Sequence, residues 1–271
     1  MVLQSSKMSN VGRKRTVDIS QFLKAFYLVV RDGVRTSRIQ ELFAISKTTY
    51  FRYLRILENS NMFTKMNDII LNSYTLQNVL MCDTFTVKSH NGSERTGANP
   101  TDRARRGVKV QVIADVRGVI DSYVVCPANI HDSRIFTENL TKTYSERKDL
   151  LMDSAYVGEP VRNKAQQHNL RAVTVPKKKC NGQMSHALSP SDNSSILQRW
   201  RIERLFAVLR QNRGISNKYT KRIGSYCLYL ACAIFVTNYH HIVMERFAFC
   251  LFKQNHPFKR TSSLSVNMIF V

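Results

Sequence analysis

The apolar positions of this chain change period part-way along it. Up to about residue 60 they recur at helical spacing, and from residue 79 they alternate or run together as strands do. Phe22, Leu23, Phe26 and Val30 predict a helix over 20–30. Ser37 and Gln40 have capping-box spacing, which predicts a second helix from about residue 36 with Ile39, Leu42 and Phe43 inward. A turn at 44–46 leads to a third helix over 47–58, with Tyr50, Leu54 and Leu57 inward. Its other face offers Lys47, Thr48, Thr49, Arg52 and Arg55. Two short helices about a tight turn, the second presenting Thr and Arg, have the pattern of a helix-turn-helix. An ordinary three-helix bundle has the same pattern. Residues 61–78 are polar and read as a linker.

The strand texture begins at 79–87, an apolar run interrupted by Asp83. Residues 107–114 alternate, with Val108, Val110 and Val112 on one face, and a turn at 115–118 returns the chain over 119–125. These three strands predict an antiparallel meander. A helix is expected over 133–144, a short strand ending at Asp153, a helix over 159–169 and a strand over 171–175. After a basic loop comes a helix over 199–210, whose stripe is Ile202, Leu205, Phe206 and Leu209. The last helix, 224–244, contains the most apolar run, 226–239. That run is too short to span a bilayer and reads as buried, so no membrane partner is expected. The order β-β-β-α-β-α-β-α-α predicts an α/β domain, a mixed sheet with flanking helices, preceded by a small all-α domain.

Charge narrows the function. The 271 residues carry a net charge of +22, with 41 Lys and Arg against 19 Asp and Glu. A folded chain this basic meets a polyanion, nucleic acid first. Residues 1–60 alone hold 11 Lys and Arg against 4 acids, and 1–17 read as a basic arm. The six cysteines are scattered without a CxxC, which speaks against a zinc ribbon or a disulfide framework and for a reducing compartment. The start is polar and then basic, so no secretory leader is expected.

Against so few acids, three stand out: Asp83 within the first strand, Asp153 at the end of the fourth, and Glu203 on the late helix. Strands one and four can lie side by side in a sheet of this order, which would bring the two aspartates to one edge with Glu203 over them. Crowded carboxylates repel one another and titrate high unless a cation is present. Hard ions with oxygen ligands, Mg²⁺ or Mn²⁺, fit such a group. Two of them about 3.5–4 Å apart suit phosphodiester chemistry. Arg199 and Arg210 fall within about 40° of Glu203 at about 100° per residue, on the edge of the apolar stripe. Taken alone, Arg199 and Glu203 are an ordinary i,i+4 ion pair.

Four stretches carry a resemblance. They are Asp83-Thr84; Ala128-Asn129-Ile130-His131-Asp132-Ser133; Met152-Asp153-Ser154-Ala155-Tyr156; and Arg199 to Arg210 with Glu203, Arg204, Phe206, Ala207 and Leu209. In order and spacing the chain resembles DDE transposases of bacterial insertion sequences, in particular the IS-five-like branch of the IS-four superfamily. It is also similar to their eukaryotic PIF/Harbinger relatives. The likeness covers about 79–244 and implies an RNase H-like catalytic domain over 79–250, with 251–271 as a tail. It implies Asp83, Asp153 and Glu203 as catalytic metal ligands for two Mg²⁺ or Mn²⁺ ions, and Arg199 and Arg210 as DNA contacts. It gives His131 and Asp132 a supporting role. Ile196 stands where the family has a tyrosine, and Arg210 where it has a lysine. The partners implied are double-stranded DNA, as terminal inverted repeats and target, and a second copy of the chain. The setting would be the bacterial cytoplasm or nucleoid, or the nucleus of a eukaryotic or viral host. A domesticated DNA-binding protein that no longer cuts, or another RNase H-like nuclease, would share most of these features.

Overall fold

A computed structural model describes residues 17–89, 93–100, 102–178, 182–218 and 220–253. The basic arm before residue 17 and the tail beyond 253 lie outside the described residues. The chain divides into two compact units, one of residues 1–70, 211–215 and 224–271, the other of 71–210 and 216–223. The apolar last helix therefore groups with the N-terminal helices and not with the sheet, where the sequence boundaries of 18–60 and 79–250 had put it.

The first unit is helical. Helix α1, Ile19–Asp32, starts where the Asp18 side chain accepts from Ser20 N and stops at Gly33 in the left-handed region. Helix α2, Ile39–Phe43, is one turn long and shorter than its pattern suggested. The capping box fails because Arg38 stands at its N-cap, already helical and without a side-chain bond. Helix α3, Lys47–Ser60, is capped by Ser46, whose Oγ accepts from Thr49 N. The supposed linker contains a fourth helix, α4, Met62–Asn72, with Phe63 and Asn67 buried. Phe22 packs on Tyr53 at 5.1 Å and Phe26 on Phe63 at 5.6 Å between ring centres.

Helix α10, Ile223–Lys253, completes this unit. Tyr229 meets Phe26 edge-on at 5.6 Å, and Asn238 donates to Asn67 at 2.8 Å. Length alone does not exclude a membrane span here, because 223–243 is long and apolar enough. Its packing is that of a core helix: 67% of its most apolar 18-residue window is buried within the protein.

The second unit is a seven-stranded mixed sheet in the order β2-β3-β1-β5-β6, with β4 on β3 and β7 on β1. Its strands are β1 Val79–Ser89, β2 Gly97–Ala98, β3 Arg106–Asp115, β4 Ile120–Pro127, β5 Lys148–Met152, β6 Leu170–Thr174 and β7 Asn217–Lys218. The meander is antiparallel as expected, while β5 lies parallel to β1 and to β6. Helix α5, Asp132–Asn139, ends five residues before the expected 144, and the segment that follows extends so that Tyr144 donates to Asp121 at 2.7 Å. Helix α6, Glu159–Gln167, precedes β6.

On one side of the sheet Leu80, Cys82, Ile113, Phe136, Leu150, Met152 and Tyr156 form one apolar cluster. Helices α7, Pro190–Ile196, and α8, Trp200–Arg210, are joined by a 3-10 turn, Leu197–Arg199, and the short α9, Arg213–Ser216, follows. Residues Ile202, Leu205, Phe206 and Leu209 of α8 are buried, and Phe206 packs on Phe85 of β1 at 4.8 Å. Cys82, Cys126, Cys227 and Cys232 are free thiols.

Candidate active site

Parallel pairing of β1 and β5 ends at Cys82 opposite Met152. Asp83 and Asp153 are the next residue on each strand, so the chain places them together where the two strands part. Asp83 lies within β1, which runs on to Ser89, whereas Asp153 directly follows the last residue of β5. Each carboxylate is aimed by the backbone that follows it. Asp83 Oδ1 accepts from Thr84 N at 2.7 Å, and Asp153 Oδ1 accepts from Ser154 N at 2.5 Å as the cap of a 3-10 turn.

Helix α8 brings the third element. Arg199, at its entry, donates to Asp83 Oδ2 at 2.9 Å and to Glu203 Oε1 at 3.4 Å. The i,i+4 pair read from the sequence is present, but the arginine's shorter contact is to Asp83, a partner 116 residues away. The Arg199 and Asp83 side chains are 21% and 17% exposed, whereas Glu203 is 64% exposed. Burial pushes the Asp83 carboxyl up to about 6, and nearby Asp153 and Asp132 push the same way. Thr84 N and Arg199 pull it down by less. Asp83 thus holds a costly charge that one guanidinium only partly offsets.

Among the described residues no three His, Cys, Asp or Glu stand close enough to hold a metal ion. Arg199 lies between Asp83 and Glu203 and bonds to both, so a guanidinium now serves the oxygens that a cation would serve. The donors are all carboxylate oxygens, the type that Mg²⁺ or Mn²⁺ takes, although as placed the three acids do not form a closed ligand set.

The remaining residues singled out by the sequence are placed as follows. Arg210, at the far end of α8, lies over the Phe85 ring at 5.5 Å. His131 caps α5, its Nδ1 accepting from Ser133 N at 3.3 Å. Asp132 pairs with Lys109 of β3 at 2.7 Å. Lys47, Thr48, Arg52 and Arg55 are exposed on α3, while Thr49 is half-buried and its hydroxyl accepts from Ser46 Oγ at 2.9 Å.

Two residues that join these pieces were missed. Lys109 donates to Ile130 O as well as to Asp132, and Gln111 donates to Asp132 O and to Tyr156 Oη at 3.0 Å. Together they tie the Asn129–Ser133 segment to β3 and, through Tyr156, to the turn that follows Asp153. Their only sequence signal is polarity at alternate positions of an otherwise apolar strand.

The transposase DDE domain matches residues 75–237, more than half of the chain. This chain belongs to the transposase DDE domain family. Its function class is therefore DNA transposition, and the family's chemistry is of the nuclease type and uses divalent metal ions. No curated protein matches it in sequence. Among solved structures it is similar to a piggyBac transposase synaptic complex with hairpin DNA, at 10% identity and a TM-score of 0.53, over 98% of this chain and 82% of that one. That likeness speaks for the fold. A Mos1 transposase paired-end complex aligns over 94% of this chain and 85% of its own, at 12% identity and a TM-score of 0.33, too low to argue from. The mixed sheet with flanking helices is the fold of a transposase catalytic domain.

Proposed function

We propose that this transposase recognises the terminal inverted repeats of its own element, cuts at them and joins the freed 3′-OH to target DNA. The carrying observation is the placement of Asp83 and Asp153 one residue beyond the last β1–β5 pair, with Glu203 linked to Asp83 through Arg199. In this reading Asp83, Asp153 and Glu203 hold two Mg²⁺ or Mn²⁺ ions. Such ions lower the pKa of an attacking water or 3′-OH and stabilise the leaving oxygen at a phosphodiester.

The chain's own residues do the rest. Thr84 N and Ser154 N fix the two aspartates before any ion arrives. Arg199 holds the Asp83 charge in the metal-free protein. Once released it would bind the scissile phosphate through two parallel N–H···O bonds. Arg210, on the same side of α8, would contact the flanking backbone. His131 and Asp132 support this edge of the sheet through the α5 cap and the Lys109 pair.

End recognition falls to the helical unit. In this reading helix α2, the turn at Ala44 (φ 53°) with buried Ile45, and helix α3 would act as a helix-turn-helix. Lys47, Thr48, Arg52 and Arg55 of α3 point outward, as groove-reading residues must, and Thr49 sits at the helix start. Paired ends call for at least a homodimer. The four motifs favour the IS-five-like branch, with PIF/Harbinger elements as relatives.

The test is a cleavage and joining assay. Its DNA fragment carries the inverted repeats that flank the gene, and Mg²⁺ is supplied to the wild type and to Asp153→Ala. Products from the wild type alone support the reading. Binding without any product from the wild type would show a protein that no longer cuts. Equal cutting by both proteins would remove Asp153 from the site.

A further inference from the structure

We infer that the arginine hairpin over residues 93–106 holds the phosphate backbone of target DNA. The inference rests on the transposase reading above and adds a second DNA surface to it. Arg95, Arg103, Arg105 and Arg106 are all exposed on this one short excursion between β1 and β3. Lys88 at the end of β1 and Lys221 beside the hairpin are exposed as well. The nearby acids do not balance them. Glu94 accepts from Ile223 N at 3.0 Å, and Asp102 stands 3.7 Å from Lys88.

The loop is built to hold a shape. Glu94 N donates to Lys221 O at 2.8 Å, Asn99 N to Arg105 O at 2.9 Å, and Arg105 N to Asp102 O at 2.9 Å. Arg106 binds Thr96 O at 2.8 Å and so serves the loop itself. Gly97 lies so near Asn129 that a Cβ there would sit 1.9 Å from its Oδ1 and 2.8 Å from its backbone N. Asn129 belongs to the Ala128–Ser133 motif, which gives that motif a function the site chemistry did not use. Arg95, Arg103 and Ala104 all have φ near +50°, a strained choice for residues with a Cβ. Arg95, Arg103 and Arg105 have no side-chain partner among the described residues. Three guanidinium groups without a partner among the described residues, on a strained loop, suit an external anion.

Two observations favour target DNA over the element's ends. Arginines that meet phosphate carry no sequence information, which suits a substrate without fixed sequence. The ends have a better reader in α3, which offers Thr beside Arg and Lys.

The experiment compares full-length wild type, the triple variant Arg95→Ala/Arg103→Ala/Arg105→Ala, and the corresponding triple Lys variant. Probes are a 30-base-pair duplex of arbitrary sequence and one carrying the terminal repeat, titrated by fluorescence anisotropy from 50 to 200 mM NaCl. Three lost phosphate contacts should lower the salt slope for the arbitrary duplex by about 2.7 and weaken its binding at least tenfold. The Lys variant should keep the wild-type slope. The terminal-repeat duplex should bind all three proteins within about twofold, as should Mn²⁺ measured by electron paramagnetic resonance. An unchanged slope for the arbitrary duplex, or an equal loss on both duplexes, overturns the inference. A wild type that binds this way but never cuts would refute the proposed enzyme and leave the hairpin surface standing.

Discussion

Asp115 and Asp83 lie on neighbouring strands and are treated in opposite ways. Asp115, at the end of β3, is fully buried and accepts from Tyr74 Oη at 2.7 Å and from Arg117 N and Val119 N at 3.0 Å each. Those donors are fixed by the hairpin turn and by a rigid phenol. Asp83 has one backbone donor and a guanidinium at the end of a long side chain. Buried polar groups that are fully provided for give stability and little else. A half-buried carboxylate left to a movable partner is a costly feature, and such features gather at functional sites. Asp115 is therefore read as structure and Asp83 as chemistry.

The largest effect is expected at Asp83. Asp83→Asn should lower cleavage at the element's ends on the order of 10³-fold, because it removes charge that a divalent ion requires. Its circular dichroism should stay that of the wild type, and a variant that cuts normally would undo the contrast. Asp115→Ala should do the reverse. It strands three donors and should cost about 3 kcal/mol in urea unfolding, with cutting per folded molecule little changed.

A smaller effect concerns pH. The Asp83 carboxyl titrates near 6 in the folded protein against 3.8 for the ordinary group. Because the folded value is the higher one, the folded state holds more protons between those two values. The contribution of Asp83 to stability is then fully present below about pH 4 and is lost as pH rises through 6. In metal-free protein at pH 7, Asp83→Asn should accordingly be more stable than wild type by about 3 kcal/mol, and most of the gap should close at pH 4. Urea unfolding at both values checks it; a constant gap would mean that burial is not the cause.

The smallest effect sharpens the role of Arg199. Arg199→Gln frees Asp83 and Glu203 from a cation that competes for their oxygens, so Mn²⁺ should bind about fivefold more tightly by calorimetry, a change of about 1 kcal/mol. Joining should nevertheless fall, since the phosphate contact goes with the guanidinium. Weaker Mn²⁺ binding would show that Arg199 organises the carboxylates and does not compete for them.

Much of the sheet was legible because its strands follow simple rules. Val108, Val110 and Val112 alternate, and 150–153 is an apolar run ended by an acid, so β1, β3 and β5 were placed within a few residues. The misreadings share a cause, which is that local pattern was overruled by contacts distant in sequence. The stretch 61–78 looks like linker by its asparagines, yet Phe63 and Asn67 find partners on α10 and a helix forms. The helix expected over 133–144 stops at Asn139 because Tyr144 is drawn to Asp121. At the site, three acids and an arginine were visible as residue types. That Arg199 prefers Asp83 to its own helix neighbour was not, since no spacing rule reaches across 116 residues.

The sequence by itself determined the basic character of the chain, the mixed α/β order, the family motifs and the acids that break apolar runs. These are local quantities, set by residue type and by periods of 2 and 3.6. Only the tertiary structure decided that the last helix packs with the N-terminal ones, that β5 runs beside β1 so that Asp83 and Asp153 meet, and that a guanidinium holds the place between Asp83 and Glu203. Those outcomes depend on which buried surfaces find one another and on how a buried charge is offset, and neither is written in any single stretch of the chain.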